Sequence, residues 1–475
     1  MEGKGVLCHL TSLPNPSLGD AQRFVGWLSE NDFRAWQVLP VTPPDEHGSP
    51  YASPTAFAAW PHLMMADGPA PMEDDAYWLE DWGLYAAIKE DQGGKPWFAW
   101  PAHLRDRAPE ALATYRERAR QHITRQQRFD AAWRRLRQTA ADHDVSLIGD
   151  LPIFVSHDSA DVWAHRHLFQ LDDRGMPEVV AGVPPDYFSE GGQKWGTVLY
   201  RWDVHRSEGW RWWRERMKRM LRLFDIVRID HFRAVHSNWA IPTEDEDARH
   251  GWWQEGPADE LLEALVEASG APGRILAEDL GIIPKEVVAL RRRFNLHGMA
   301  VLQFGFDGNE TNPHHPANIS RDQVVYTGTH DNNTTQGWWK DLGDEVKQRV
   351  ARLLEPEESP AEGMIRLACA SDGAMAVLPL QDLLGLGEEA RMNTPGTFEQ
   401  TGSGRSTGRT STAGRTVNRE PHNPFFDRLG RCHPLRISRP KLGYGPSSTP
   451  IRVGSVCWQA TMSNPQQTLV CPWWA

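Results

Sequence analysis

Eight apolar runs of strand length recur along the chain and constrain its fold more than any other feature. They are GVLCHL (5–10), AWQVLP (35–40), VSLIGD (145–150), DIVRID (225–230), RILAED (274–279), MAVLQF (299–304), VVYTG (324–328) and AMAVLPL (374–380). Helix-like amphipathic segments separate most of them, at 20–31, 126–142, 207–223, 257–268, 284–294 and 343–371. In IIPKEVVALRRRF a Pro opens the first turn and apolar positions then repeat at helical spacing. Eight buried strands alternating with helices predict an α/β fold, a (β/α)₈ TIM barrel. A doubly wound sheet shares the alternation but requires a Gly-rich phosphate turn after an early strand, and the sequence has none. Two connections are too long for simple βα loops. Residues 41–125, rich in Trp, Pro and Ala, follow the second strand, and 156–206 follow the third. Insertions at that rim are expected to build substrate-binding subdomains.

Charge and composition remove several function classes. A formal net charge of −12 argues against a nucleic-acid partner and against an anionic membrane surface. No run of about 18 apolar residues is present, so no membrane span is expected. The start, MEGKGVLCHLTSLP, lacks a hydrophobic signal core. Five cysteines without paired spacing fit a reducing cytoplasm and none of the Cys-rich zinc patterns. The 22 Trp point first to large packed cores, although flat indole faces also stack on sugar rings. Nothing in the sequence speaks to oligomeric state.

In a barrel, residues at the C-terminal strand ends face the active site. Here those ends carry Asp150, Asp230, Glu278 and, just past the seventh strand, His330 and Asp331. Arg228 and Asp230 are two apart in IVRIDHF, so they share one face of an otherwise apolar strand. Taken singly, each has a bland alternative: a salt bridge inside the barrel for Arg228 and Asp230, a turn cap for Glu278, a polar turn for THDNNT. Carboxylates on several strand ends, with Arg and His beside them, favour a site. Two carboxylates suffice for glycoside chemistry, one as nucleophile and one as acid and then base. Clustered Asp and His also serve metal hydrolysis, but no His-x-x-x-His helix pair appears.

From Gly5 to Thr397 the chain resembles the amylomaltases, the 4-α-glucanotransferases or disproportionating enzymes related to α-amylase. The motifs that carry the resemblance include SLP (12–14), WQVLP (36–40), GSPY (48–51), GDLPIFV (149–155) and VAGVPPDYFS (180–189). Further along are VRIDHFR (227–233), AEDLG (277–281), YTGTHDN (326–332) and RMNTPG (391–396). The resemblance implies Asp230 as nucleophile, Glu278 as general acid/base and Asp331 as the residue that stabilises the transition state. It implies substrate-binding roles for Tyr51, Asp150, Arg228 and His330, and further ones for Asp307 and Asn393. The loop 182–196 looks like the family's lid over the donor chain, with Asp186, Tyr187 and Trp195 on the substrate. The implied reaction moves a segment of an α-1,4-glucan or maltooligosaccharide to the 4-hydroxyl of another, with retention and with no cofactor or metal. Hydrolysis of the same glucans is the alternative that the residues alone leave open.

After Thr397 the family pattern stops. Residues 398–475 hold ten Lys and Arg against three Asp and Glu, three of the five cysteines, and no amphipathic period. The family continues RMNTPG into an Asn-Trp-x-Trp-Arg-like segment, whereas this chain continues TFEQTGSGRSTG. Codons CAA ACT GGC AGT GGA AGA for Gln400 to Arg405 read Asn-Trp-Gln-Trp-Lys when the first two nucleotides are dropped. The tail is therefore expected to be a frameshift product or disordered, which adds a C-terminally disrupted, inactive glucan binder to hydrolysis as an alternative to transfer. A genuine extension is the alternative.

Overall fold

The computed structural model describes residues 2–64, 76–185 and 190–393. All eight apolar runs form strands: β1 (Gly3–Leu7), β2 (Ala35–Gln37), β3 (Ser146–Pro152), β4 (Ile226–Asp230), β5 (Ile275–Ala277), β6 (Gly298–Val301), β7 (Gln323–Tyr326) and β8 (Met375–Pro379). They pair in parallel in the order β5-β4-β3-β2-β1-β8-β7-β6. The ring closes where Leu276 bridges His297 on the approach to β6. There the Ala277 N–H donates to the His297 carbonyl at 2.8 Å. The expected (β/α)₈ barrel is the fold.

Alternation along each strand explains why the runs look continuously apolar. Val6, Trp36, Leu147, Val227, Ile275 and Ala300 face the helix layer. Their neighbours Leu7, Ala35, Ile148, Ile226, Leu276 and Met299 fill the barrel interior. β3 and β4 are in register, with Ile148 beside Ile226 and Asp150 beside Arg228. The period of two thus carries Asp150, Arg228 and Asp230 into the interior one layer above an apolar plug. That plug is what a charged layer needs beneath it, since each buried Ile or Leu side chain contributes about 1.5–3 kcal/mol.

Several expected boundaries move. The segment 343–371 is two helices, Asp344–Ala351 and Pro360–Ala370. Pro360 cannot continue a helix but suits a first turn. Ser359 opens the second helix with a capping box, its hydroxyl accepting from the Glu362 N–H while the Glu362 carboxylate accepts from the Ser359 N–H. The segment 207–223 breaks at the positive-φ pair Gly209-Trp210 into Trp202–Ser207 and Arg211–Leu223. The helix expected at 126–142 begins at Arg116, inside the first insertion. Its early turns pack on helix Leu79–Asp91 so closely that a Cβ at Gly83 would meet Ile123 at 2.9 Å.

A five-stranded antiparallel sheet stands outside the barrel, in the order Val155–Ser156, Gln193–Val198, Val179–Val183, Ser237–Pro242, Trp252–Glu255. The expected insertion after β3 supplies most of it. The last two strands come from a further excursion after β4 that the sequence reading did not separate. The division expected at 398 lies outside the described residues.

Candidate active site

Arg228 organises the pocket floor. It is 3% exposed, too deep for an unpaired cation. Its Nη1 lies 2.7 Å from both Asp150 oxygens and 2.9 Å from Asp230 Oδ1. Asp150 is itself sealed beneath the site, so it holds Arg228 rather than reaching into the pocket. Asp230, one step nearer the mouth, keeps a quarter of its side chain (26%) exposed.

Tyr51 enters from the 3₁₀ turn Pro50–Ala52 after β2. Its hydroxyl donates to Asp150 Oδ2 at 2.8 Å and accepts from His330 Nε2 at 2.8 Å, which assigns that nitrogen its proton. The two rings stack at 5.4 Å, nearly parallel. Burial, then the charge of Asp150, holds the Tyr51 hydroxyl well above its usual range, so it stays a donor. His330 Nε2 also lies 3.3 Å from Asp331 Oδ2. Asn393 Nδ2 donates to Asp331 Oδ1 at 2.6 Å, and Arg391 Nη2 to the Asp331 carbonyl at 2.7 Å. A polar chain therefore runs from Asn393 through Asp331, His330, Tyr51 and Asp150 to Arg228 and Asp230.

Glu278, just past β5, has a different environment. Its carboxylate accepts from the His231 N–H at 2.7 Å and makes no ion pair among the described residues. Removal from water, with the Asp230 charge adding to it and Arg228 opposing, pushes its carboxyl well above the ordinary carboxylate range. Asp230 is pushed up to about 6 by removal from water against the direct pull of Arg228. Only one of the two carries a guanidinium contact, so Asp230 is the readier of the two to ionise and Glu278 the readier to hold a proton. Two carboxyl groups biased toward opposite states in one pocket are what acid–nucleophile chemistry at a sugar carbon requires.

Trp195 borders the pocket from strand Gln193–Val198, its ring edge-on to His231 at 4.9 Å and its surface 38% exposed. Asp307 lies in an exposed turn where its carboxylate accepts from the Asn309 N–H at 2.9 Å. Asp186 and Tyr187 lie outside the described residues. Sequence reasoning missed Phe154, Arg391, His231 and His9. His9 follows β1 and is buried against His330, which, after burial itself, lowers its pKa to about 3 and keeps it neutral. The strand-end argument that selected Glu278, applied to β1, reaches His9 as well.

The family model for 4-alpha-glucanotransferase matches residues 8–68 and 70–403, ending just past the composition change at 398. A 4-alpha-glucanotransferase of Thermus thermophilus is 41% identical over 462 aligned residues, covering 82% of this chain and 92% of that protein. A chloroplastic/amyloplastic 4-alpha-glucanotransferase of Arabidopsis thaliana is 38% identical over 458, covering 83% of this chain and 79% of that protein. Among solved structures, an amylomaltase from Streptococcus agalactiae in complex with acarbose superposes with a TM-score of 0.78 at 31% identity, covering 84% of this chain and 93% of that one.

Proposed function

We infer the roles of the site residues from one premise: this chain belongs to the 4-alpha-glucanotransferase family. It is an enzyme that transfers α-1,4-glucan segments from a donor to an acceptor glucan. Asp230 is the nucleophile. One of its carboxylate oxygens attacks the anomeric carbon of the donor, and the glycosidic bond breaks as the proton on Glu278 passes to the departing 4-oxygen. A glycosyl ester on Asp230 remains. In the second step an acceptor 4-hydroxyl attacks that carbon, its proton returns to Glu278, and Asp230 leaves. Two inversions give net retention.

The observation that carries this reading is the unequal pairing of the two carboxyl groups, Asp230 at 2.9 Å from Arg228 and Glu278 on a single backbone amide. Asp331 supports it. Its side chain is 45% exposed and is oriented by His330 and Asn393, so it offers oxygen to the hydroxyls of the reacting glucose. Trp195, edge-on to His231, supplies ring surface for the sugar, and Asp186 and Tyr187 are assigned donor-binding roles on the family resemblance alone. Exclusion of water is what favours transfer over hydrolysis. Among the described residues no helix is long and apolar enough to cross a membrane. A cytoplasmic location fits Cys8 and Cys369, which form no disulfide among the described residues.

Incubation of the full chain with maltotriose tests the reaction. Glucose together with chains longer than maltotriose is the expected product set. A set containing only shorter sugars would replace transfer with hydrolysis, and Asp230→Ala retaining full rate would remove the nucleophile.

A further inference from the structure

His231 follows the nucleophile with backbone angles of φ 50 and ψ 50, in the left-handed region that side chains with a Cβ seldom adopt. The hydrogen bonds around it show what that conformation does. β4 and β5 pair in parallel through Ile229 and Ala277, and the next step would set Asp230 beside Glu278. The Glu278 N–H does donate to the Ile229 carbonyl, at 3.0 Å. A regular parallel ladder would then send the His231 N–H to the Glu278 carbonyl. That carbonyl instead accepts from the Phe232 N–H at 3.1 Å, one residue late. His231 is the extra residue of a one-residue bulge, and its freed N–H turns to the Glu278 carboxylate at 2.7 Å.

The ring is fixed as firmly as the backbone. Trp195 meets it edge-on at 4.9 Å and Phe154 lies 6.3 Å away. Burial, with Arg233 adding, lowers its pKa to about 4, so no imidazolium charge competes beside Glu278. Its Nε2 has no hydrogen-bond partner among the described residues, which leaves the ring to brace the bulge by packing.

We propose that His231 is a positioning residue for the transfer reaction, its left-handed bulge aiming a backbone N–H that holds the Glu278 carboxylate in place for both proton transfers. The proposal rests on the reading of Glu278 as acid and base. It assigns the hold to backbone conformation rather than to imidazole chemistry, so substitutions divide by their tolerance of positive φ. Asn and Gly accept that region, whereas Val and Ala resist it. Losing the N–H removes a bond to the charged form, so the Glu278 midpoint rises.

The test uses the full chain labelled with ¹³C at glutamate Cδ, the Glu278 signal being identified by its loss in Glu278→Gln. In His231→Val the Glu278 titration midpoint and the basic limb of kcat/KM for maltotriose both move up by about one pH unit, with kcat/KM down about tenfold. In His231→Asn both stay at the wild-type position. Should His231→Val fail to fold, His231→Ala against His231→Gly makes the same comparison with smaller side chains. A midpoint unmoved in Val or Ala, or moved equally in Asn and Gly, would overturn the proposal. The nuclear signal reports the hold without needing turnover. If Glu278→Gln itself kept full transfer activity, the acid/base reading would fail while the effect of His231 on that carboxyl was still measured.

Discussion

Replacing Asp150 by Asn alters the charge beneath the pocket and leaves its shape nearly unchanged. The amide oxygen still accepts from Tyr51, so the hydrogen bond at 2.8 Å survives. What disappears is one of two negative charges on Arg228 Nη1. With contacts of 2.7 and 2.9 Å to that nitrogen, the Asp150 and Asp230 oxygens are at most about 5.6 Å apart. At an effective dielectric of about 20, two charges at that separation repel by about 3 kcal/mol. That corresponds to about two pH units. Asp150 is among the causes that raise Asp230 to about 6, after removal from water. Without it, Asp230 returns toward the ordinary carboxylate range, and Arg228 leans on its one remaining partner. The acid limb of kcat/KM for maltotriose, which under the proposed roles reports ionisation of Asp230, is expected to fall by about one to two pH units. Stability falls too, by less than the about 3–5 kcal/mol of breaking a buried pair, because Asp230 still faces Arg228. Urea unfolding measures that part separately. An acid limb that stayed in place, or rose, in a folded Asp150→Asn enzyme would refute the account of the charge layer.

Glu278→Gln should lower transfer from maltotriose by about 10²–10⁴-fold. With a maltosyl fluoride donor, whose leaving group needs no proton, formation of the Asp230 ester should persist, as mass spectrometry of the trapped enzyme would show. Asp161 is buried, and desolvation pushes its carboxyl up to about 6 even though it accepts from the Ala56 N–H at 2.7 Å. Its folded pKa lies above the unfolded one, so the folded state binds the extra proton. That stabilisation is complete below about pH 4 and is lost as pH rises through about 6. Asp161→Asn should therefore flatten the stability profile between those values, removing up to about 3 kcal/mol of pH dependence, and an unchanged slope in urea unfolding would contradict this. Gly83→Val, at the 2.9 Å approach to Ile123, should cost about 1–3 kcal/mol while leaving the catalytic pH profile in place.

Local pattern determined a large part of this protein. The strands are legible because a parallel barrel buries both faces, and unbroken apolar runs of strand length signal nothing else so well. The same period of two places Arg228 and Asp230 on one face from the sequence alone. The surplus of Trp is mainly core, since Trp36, Trp97, Trp133, Trp163, Trp212 and Trp213 are all fully buried. Tertiary structure decided what depends on partners distant in sequence. Arg228 could have bridged any of several carboxylates. The register of β3 on β4 gave it Asp150, and its own strand gave it Asp230, leaving Glu278 without an ion pair among the described residues. The outer sheet joins segments on either side of β4, and no local signal ties Val179–Val183 to Ser237–Pro242. The left-handed turn at His231 is the sharpest case. Nothing in the letters IDHF calls for positive φ, and the sequence offers no Gly where one would ease it. The conformation holds because Phe154, Trp195 and the edge of β5 close around it, and those contacts exist only once the barrel has formed.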